Sequence, residues 1–181
     1  MKYQLILFCL LLSLSAVHSQ PYTIKKLGPE KGLSNSYIID ITEDKNGYLW
    51  FATEEGLNKL EGNHFTAFYK SNKHKALNLT GNELNSLLDD PNEPILWIAT
   101  QRAGLIAFNY QTNTQQIYQH HPNNPSSIAT NDVTGIHPSP DGNLWITTYW
   151  RGVDYLNKET GKFTHYNQST VPELPSNTVW T

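Results

Sequence analysis

A short apolar strand centred on tryptophan occurs three times along this 181-residue chain, and no other feature limits its fold as strongly. Trp50, Trp97 and Trp145 are separated by 47 and 48 residues, and each follows a leucine and precedes a phenylalanine or an isoleucine. A threonine stands three positions after each tryptophan, followed by a glycine and another aliphatic residue. Self-similarity at a fixed period indicates a repeat architecture, in which every unit packs against its neighbours in the same way.

Each repeat unit is predicted to contain four short antiparallel strands. In the first unit these are a strand over Tyr37–Ile41, the tryptophan strand, a strand beginning at Gly56 and an aromatic strand over Phe65–Phe68. The pair Asn46-Gly47 between the first two strands provides the positive φ angles of a tight hairpin. Four antiparallel strands repeated every roughly 40–50 residues are typical of the blades of a β-propeller.

The tryptophan strands are apolar along almost their whole length and do not alternate apolar with polar residues. This pattern is expected where a strand is covered on both faces, as it is when propeller blades stack. We therefore predict that Trp50, Trp97 and Trp145 are structural core residues that fill the space between neighbouring sheets. The alternative, in which these indoles stack on sugar rings, is less consistent with their position inside a strand.

The predicted fold class is an all-β propeller with about three four-stranded blades and the first strand of a fourth, preceded by a signal peptide. The predicted segments are a signal peptide at 1–19, an N-terminal lead-in at 20–31, blade 1 at 32–77, blade 2 at 78–125, blade 3 at 126–173 and the start of blade 4 at 174–181. A closed ring needs roughly four to eight blades. The ring is therefore incomplete, and we expect the chain to be the amino-terminal part of a longer protein.

The first residues have the composition of a secretory signal peptide. Lys2 precedes an apolar run over Leu5–Leu14, and small residues stand shortly before Gln20, the predicted first residue of the mature chain. A retained membrane anchor is the alternative, although the run is short for a stable membrane span. Cleavage would remove Cys9, the only cysteine, and would deliver the chain to an extracytoplasmic space such as a bacterial periplasm.

Charge and motif content argue against several classes of function. The formal net charge is −3 and there is no basic run, so this segment is not expected to bind nucleic acid. No hydrolase, metalloprotease or phosphate-binding motif occurs, and we predict no catalytic residue and no cofactor. His120 and His121 are adjacent in a Pro- and Asn-rich linker, with His137 elsewhere. We predict a solvated loop there and no metal site.

The turns of a propeller blade lie on two rims, and the sequence varies most on one of them. We define the lower rim by the turns after the first and third strands, and the upper rim by the turn after the second strand and the connection to the next blade. The upper-rim residues that follow the repeated strand are predicted to contact a ligand, and they are Glu54, Glu55, Gln101, Arg102, Tyr149, Trp150 and Arg151. An exposed indole such as Trp150 stacks on a sugar ring, and planar polar groups pair with its hydroxyls. The alternative is that Trp150 packs on the rim of the neighbouring blade.

An asparagine opens each unit 14 or 15 residues before its tryptophan. These residues are Asn35, Asn82 and Asn131, and Asn177 stands at the same place in the final partial unit. Asparagine side chains bond to nearby backbone groups, so the repetition predicts a turn-forming role.

The phrase Asn-Ser, then Asp-x-x-Gly-x-Leu-Trp-(Ile or Phe)-x-Thr, then Gly-Leu resembles the two-component regulator propeller repeat from about residue 28 to the end. The resemblance implies the periplasmic sensor region of a Bacteroidetes hybrid two-component system. Such a region senses oligosaccharides and signals to a histidine kinase that is encoded further along the same chain. The kinase then starts a phosphorelay. The implied partners are an oligosaccharide ligand, the remaining propeller blades and the kinase of an inner-membrane-anchored parent, which could also form a homodimer.

Two departures from the family pattern occur. Ala52, Ala99 and Thr147 stand where the family usually has glycine, and another small residue fits there. The turn over Asp89–Pro94 contains two prolines in place of the glycine turn, which predicts a wider and more irregular turn. Two other functions stay open at this point, namely a propeller enzyme of the lyase or hydrolase type and a protein-binding propeller without a small ligand.

Overall fold

The structure is a computed structural model, and it describes residues 23–70 and 77–180. It contains three antiparallel sheets of four strands each, which confirms the predicted all-β propeller blades. The first sheet comprises β1 (Ile38–Glu43), β2 (Leu49–Thr53), β3 (Gly56–Glu61) and β4 (His64–Phe68). The second comprises β5 (Leu84–Asp89), β6 (Ile95–Thr100), β7 (Gly104–Asn109) and β8 (Thr114–Tyr118). The third comprises β9 (Val133–Pro138), β10 (Leu144–Thr148), β11 (Val153–Asn157) and β12 (Lys162–Tyr166).

The only helical element among the described residues is a short 3-10 turn over Pro29–Lys31. The predicted signal peptide at 1–19 lies outside the described residues. Within every sheet, strands that follow one another in the sequence pair with one another. Each sheet is therefore a simple meander, in which the first strand lies at one edge and the fourth at the other.

The three sheets are arranged side by side around their first strands. β1 contacts β5, and β5 contacts β9, so the first strands of the three sheets line a common axis. The backbone of each sheet is joined to the next by the same hydrogen bond, in which the glycine after the second strand donates its N–H to the carbonyl of the next repeated asparagine. These bonds are Gly56 to Asn82 at 2.9 Å, Gly104 to Asn131 at 2.9 Å and Gly152 to Asn177 at 2.7 Å. Residues 177–180 therefore correspond to the segment that leads from the repeated asparagine into the first strand of each preceding unit.

The repeated glycines are required by close backbone approach. Gly56, Gly104 and Gly152 have φ angles of 121°, 92° and 83°. A Cβ atom at these positions would overlap the carbonyl oxygen at the end of the fourth strand of the same sheet, which belongs to Phe68, Tyr118 and Tyr166 respectively. Both the left-handed conformation and the missing side chain explain why the residue does not vary.

The repeated threonines close the turn after each second strand. Thr53, Thr100 and Thr148 are buried, and each donates its hydroxyl hydrogen to the carbonyl of the glycine that begins the third strand. The distances are between 2.6 and 2.9 Å. This bond satisfies two buried polar groups at once without using the side chains of the two or three residues inside the turn.

The tryptophans of the first two sheets lie between neighbouring sheets. Trp50 and Trp97 are each 2% exposed, and they belong to the two apolar clusters that join the first sheet to the second and the second to the third. Each indole N–H donates to a carboxylate in the preceding turn, Trp50 to Asp44 at 2.8 Å and Trp97 to Asp90 at 2.9 Å. The large apolar ring is therefore buried without leaving its polar atom unpaired.

Trp145 differs from the other two tryptophans, because it is only half-buried among the described residues. Its ring lies 4.8 Å from that of Tyr155 and 5.4 Å from that of Tyr166, both in the same sheet. The physical reason is its position on the face of the third sheet that points away from the second, where no further sheet covers it within the part of the chain that the structure describes. Ser139 also stands where the first unit has the indole-binding Asp44.

The proline-containing turn of the second sheet is one residue wider than its counterpart in the first, as its sequence predicts. The Asp90 N–H bonds to the carbonyl of Ile95, whereas in the first sheet the Asp44 N–H bonds to the carbonyl of Tyr48. Lysines from both neighbouring sheets meet at this turn. Lys45 lies 2.8 Å from Asp89, and Lys158 lies 2.7 Å from Asp90 and 3.0 Å from Glu93.

The Asp90 carboxylate is buried, and the contact with Lys158 connects the second sheet to the third. Burial alone would raise the pKa of Asp90, but hydrogen bonds from Lys158, from the Trp97 indole and from the backbone N–H of Asn92 outweigh burial and lower the pKa of that carboxyl below 3.8. Asp90 therefore stays ionised in the folded state and depends on its cation.

Replacing Lys158 by methionine is expected to destabilise the protein by about 3–5 kcal/mol at neutral pH, because a buried carboxylate loses its cation. Since the pKa of Asp90 is lowered on folding, its contribution is present above the ordinary pKa of 3.8 and is lost as the pH falls through the lower folded-state pKa. The loss of unfolding free energy caused by Lys158→Met should therefore be smaller in acid than at neutral pH, and urea unfolding under the two conditions measures it. The control is Arg102→Met, which removes the exposed pair with Glu83 and should cost under about 1 kcal/mol. Equal losses for the two variants would contradict this prediction.

Replacing Trp97 by alanine should lower the free energy of unfolding by about 3–5 kcal/mol, because it opens a cavity between the second and third sheets. The matched control is Trp150→Ala, at a tryptophan that is 65% exposed, and its effect should stay within about 0.5 kcal/mol. Denaturant unfolding of both variants measures the difference. Comparable small losses would mean that the buried indole does not hold the sheets together.

Candidate functional site

A cavity of about 430 Å³ opens at the axis, where the first strands of the three sheets meet. We call it the axial cavity, and its lining residues are Ile39, Asp40, Asn85, Ser86, Thr134 and Trp180. Most of these side chains are polar, and one is a large aromatic ring. A concave surface with hydrogen-bonding groups and an aromatic edge has the character of a small-molecule site.

The lining residues come from equivalent places in successive units. Asn85, Thr134 and Trp180 each stand three positions after a repeated asparagine. The fold brings this position to the axis in the second, third and final units, where its residue type changes from amide to hydroxyl to indole, while the first unit contributes Ile39 and Asp40. Each unit thus contributes a different functional group to the same cavity.

The polar walls of the axial cavity are held by bonds that cross from one sheet to the next. Asp40 accepts the backbone N–H of Leu87 at 2.7 Å and the hydroxyl of Ser86 at 3.2 Å. The Asn85 amide donates to the Val133 carbonyl at 2.7 Å, and the Thr134 hydroxyl donates to the Val179 carbonyl at 2.5 Å. These bonds fix the side chains before any ligand arrives, which reduces the entropy that binding would cost.

An aromatic cluster borders the axial cavity on the upper rim. We call Tyr149, Trp150 and Trp180 the aromatic shelf. The Tyr149 ring lies 5.2 Å from that of Trp150 and 5.6 Å from that of Trp180, and both indoles are 65% exposed. Trp150 has a φ angle of 70°, which is a strained conformation for a bulky residue. The corresponding turn position of the second sheet also has a positive φ angle, so this conformation is a property of the turn and not of the indole.

The structure separates the other predicted ligand residues from the axial cavity. Arg102 has a φ angle of 62° at the turn position that corresponds to Trp150, but its guanidinium pairs with Glu83 at 2.8 Å. This hydrogen bond raises the pKa of Arg102 above its usual value. The neighbouring Gln101 is exposed, and its backbone N–H bonds to the Glu83 carbonyl. Both residues thus contact Glu83, which directly precedes β5, and the backbone N–H of Arg102 also donates to Asp132 of the next unit at 3.0 Å.

The turn of the first sheet is one residue shorter, and its two residues Glu54 and Glu55 are exposed. Neither carboxylate forms an ion pair within the described residues. Arg151, which follows Trp150, lines a second cavity on the upper rim together with His120, His121 and His165. In the turn over Tyr149–Gly152, the Tyr149 ring thus contacts Trp180, which lines the axial cavity, and Arg151 lines the second cavity.

The repeated asparagines do more than form local turns. Asn35 behaves as predicted and accepts the N–H of Tyr37 at 2.7 Å. The side chains of Asn82 and Asn131 instead accept the N–H groups of Lys70 and His120, at 2.6 and 2.7 Å. Those donors follow the fourth strand of the preceding sheet, so these two asparagines fasten one unit to the next.

Sequence reasoning missed the residues of the axial cavity, Trp180 among them. The signal that could have found them lies in the same alignment of repeats. Within otherwise similar first strands, the position three residues after the asparagine is isoleucine, asparagine, threonine and tryptophan in turn. A variable position inside a repeated strand indicates a residue that does not face the common core.

Across residues 23–70 and 77–180, no group of three or more His, Cys, Asp or Glu side chains is arranged to hold a metal ion. In the same part of the chain, no helix has the length and hydrophobicity needed to cross a membrane.

The sequence profile of the two-component regulator propeller matches residues 32–55 and 127–150, which contain the first two strands of the first and third sheets. Histidine kinase P4 of Formosa agariphila is 39% identical over 79 residues, which are 43% of this chain and 6% of that protein. The crystallised extracellular domain of the hybrid two-component system BT3049 from B. thetaiotaomicron is 55% identical, with a TM-score of 0.83 over 89% of this chain and 22% of that one.

A virginiamycin B lyase from Staphylococcus aureus has a similar fold, with a TM-score of 0.51 at 16% identity over 81% of this chain and 44% of the lyase. At that identity the likeness concerns the fold alone. The chain spans 22% of the length of the BT3049 domain and 6% of the length of the kinase.

Replacing Trp150 by glycine is expected to raise the free energy of unfolding by about 0.5–1 kcal/mol, because glycine adopts a φ angle of 70° without strain. Thermal and urea unfolding measure the change. The matched control is Arg102→Gly, at the equivalent turn position with a φ angle of 62°, where the gain should be smaller because the pair with Glu83 is lost. A clear loss of stability in Trp150→Gly would show that the indole packs as part of the fold.

Proposed function

Because the chain carries two-component regulator propeller repeats, we propose that it forms the amino-terminal part of the periplasmic sensor region of a hybrid two-component system. In this proposal the region binds an oligosaccharide and signals to a histidine kinase encoded further along the same protein. The propeller itself performs no catalysis.

The observation that carries the proposal is the axial cavity with the aromatic shelf at its border. The apolar C–H face of a sugar ring stacks on an exposed indole such as Trp180 or Trp150, both 65% exposed. Its hydroxyls both donate and accept hydrogen bonds, and the cavity offers the carboxylate of Asp40, the amide of Asn85 and the hydroxyl of Ser86. This combination fits a neutral polyhydroxylated ligand better than an apolar one.

The geometry also provides a way for binding to affect the rest of the protein. The side chains that line the axial cavity are the ones that bond across sheets, from Asp40 to Leu87 and from Asn85 to Val133. A ligand that contacts several of them stabilises one relative arrangement of the sheets over others. Such a differential contact is what a ligand needs in order to shift a conformational equilibrium.

Isothermal titration of the full protein against a panel of oligosaccharides tests this function. For an oligosaccharide that binds, Trp150→Ala and Trp180→Ala should each weaken binding by about tenfold, or about 1.4 kcal/mol, and leave the melting temperature nearly unchanged. The control is Tyr48→Ala, an aromatic residue on the lower rim, which should bind as the wild type does.

Three results would contradict the proposal. If no saccharide binds, the proposed ligand is wrong. If the wild type and both tryptophan variants bind equally well, the proposed binding site is wrong. Cleavage of the saccharide during titration would instead support the propeller-enzyme alternative.

A further inference from the structure

We propose that the cavity beside Arg151 binds the carboxylate or sulfate group of an acidic saccharide. The inference rests on the proposed function, because it assigns the anion to the sensed oligosaccharide. The cavity has a volume of about 310 Å³ and lies on the upper rim, and we call it the basic cavity. Its side chains include one guanidinium and three imidazoles, those of Arg151, His120, His121 and His165, and no carboxylate among the described residues lines it.

Arg151 supplies the permanent charge of the basic cavity. It is exposed, and its guanidinium makes no hydrogen bond or ion pair with any described residue. Arg102 provides the contrast, because its guanidinium is already neutralised by Glu83 at 2.8 Å. A guanidinium presents N–H donors in a planar fork that matches the oxygens of a carboxylate or a sulfate. Arg151 is therefore the arginine of this chain that is available for an external anion.

The histidines of the basic cavity are held in place by the connection between the second and third sheets. Asp154 is fully buried and lies 2.6 Å from Nδ1 of His165, whose Nε2 lies 2.9 Å from the Pro125 carbonyl. The Asp154 carboxyl also accepts the N–H of Ala129 at 2.7 Å. Asp154 and His165 thus form a hydrogen-bonded pair that shapes the wall of the cavity.

His120 and His121 contribute the other two imidazoles of the basic cavity. Nδ1 of His120 lies 2.9 Å from the Ile128 carbonyl, so this nitrogen carries the proton and Nε2 is left for a ligand. The backbone N–H of His121 bonds to the Ser127 hydroxyl at 3.0 Å. The connection itself is attached to the third sheet by the bond from the Phe163 N–H to the Ser126 carbonyl. Both rings are thus presented by a segment with fixed backbone contacts.

One ligand can reach both candidate sites, because the turn over Tyr149–Gly152 lies between them: the Tyr149 ring is 5.6 Å from that of Trp180, which lines the axial cavity, and Arg151 lines the basic cavity. A sugar ring stacked on Trp150 would place a neighbouring acidic unit at Arg151, the next residue along the same turn. The aromatic shelf would then bind the sugar ring of many saccharides, and the basic cavity would select those that carry an anionic group.

The experiment is a titration of the full protein with trigalacturonate, with its neutral analogue galactotriose and with a sulfated disaccharide, at constant ionic strength. Trigalacturonate or the sulfated disaccharide should bind at least about tenfold more tightly than galactotriose, as expected for a charge-assisted hydrogen bond to a guanidinium. The two acidic arms distinguish a carboxylate ligand from a sulfate ligand.

Arg151→Gln should abolish the preference for the acidic saccharide, and Arg151→Lys should keep part of it. The matched control is Lys162→Gln, which removes one exposed positive charge at the end of β12 away from His165. This variant should keep the full preference. Unchanged melting temperatures show that the variants fold.

Equal affinity for acidic and neutral saccharides, or a preference that survives Arg151→Gln, would overturn this inference and leave the proposed function standing. Binding of none of the three saccharides would also overturn this inference, whereas the proposed function is tested by the wider panel of oligosaccharides.

Discussion

The structure depends on face-to-face packing of its sheets around buried indoles that are each anchored by a carboxylate. A tryptophan fills a large space between two sheets only if its N–H is satisfied there, and Asp44 and Asp90 supply that acceptor for Trp50 and Trp97. Once this contact is fixed, the strand around the tryptophan has little freedom to vary. The variation that a binding protein needs must then lie in the turns and at the axis.

Two places escape this packing constraint, and the candidate site is built from both. On the upper rim, the threonine and glycine bonds close each turn without regard to the residues inside it, so Arg102 and Trp150 occupy equivalent positions with different chemistry. At the axis, the side chains of Asn85, Thr134 and Trp180 line a cavity and do not belong to the apolar clusters between the sheets. The repeat thus combines an invariant scaffold with independently variable binding residues.

The sequence was sufficient to predict the strands, the sheets and the family resemblance, because the period of the tryptophans directly reflects how the sheets stack. It was also sufficient to place Trp150 on an exposed turn. It did not predict that Arg151 lines a cavity while the adjacent Trp150 packs beside Tyr149, since adjacent residues in a turn point in directions that depend on φ angles. Nor did it predict the half-buried state of Trp145, which depends on what covers the far face of the third sheet, or the partner of Arg102, since Glu83 lies 19 residues away in the chain.

Hydrogen–deuterium exchange of the full protein with and without a bound oligosaccharide tests the central claim most directly. The claim is that the ligand lies across the aromatic shelf and the axial cavity on the upper rim. It predicts that binding slows exchange in residues 149–152 and 177–180 and leaves the lower-rim turns at 44–48 and 139–143 unchanged. Slowed exchange confined to the lower-rim turns would contradict it.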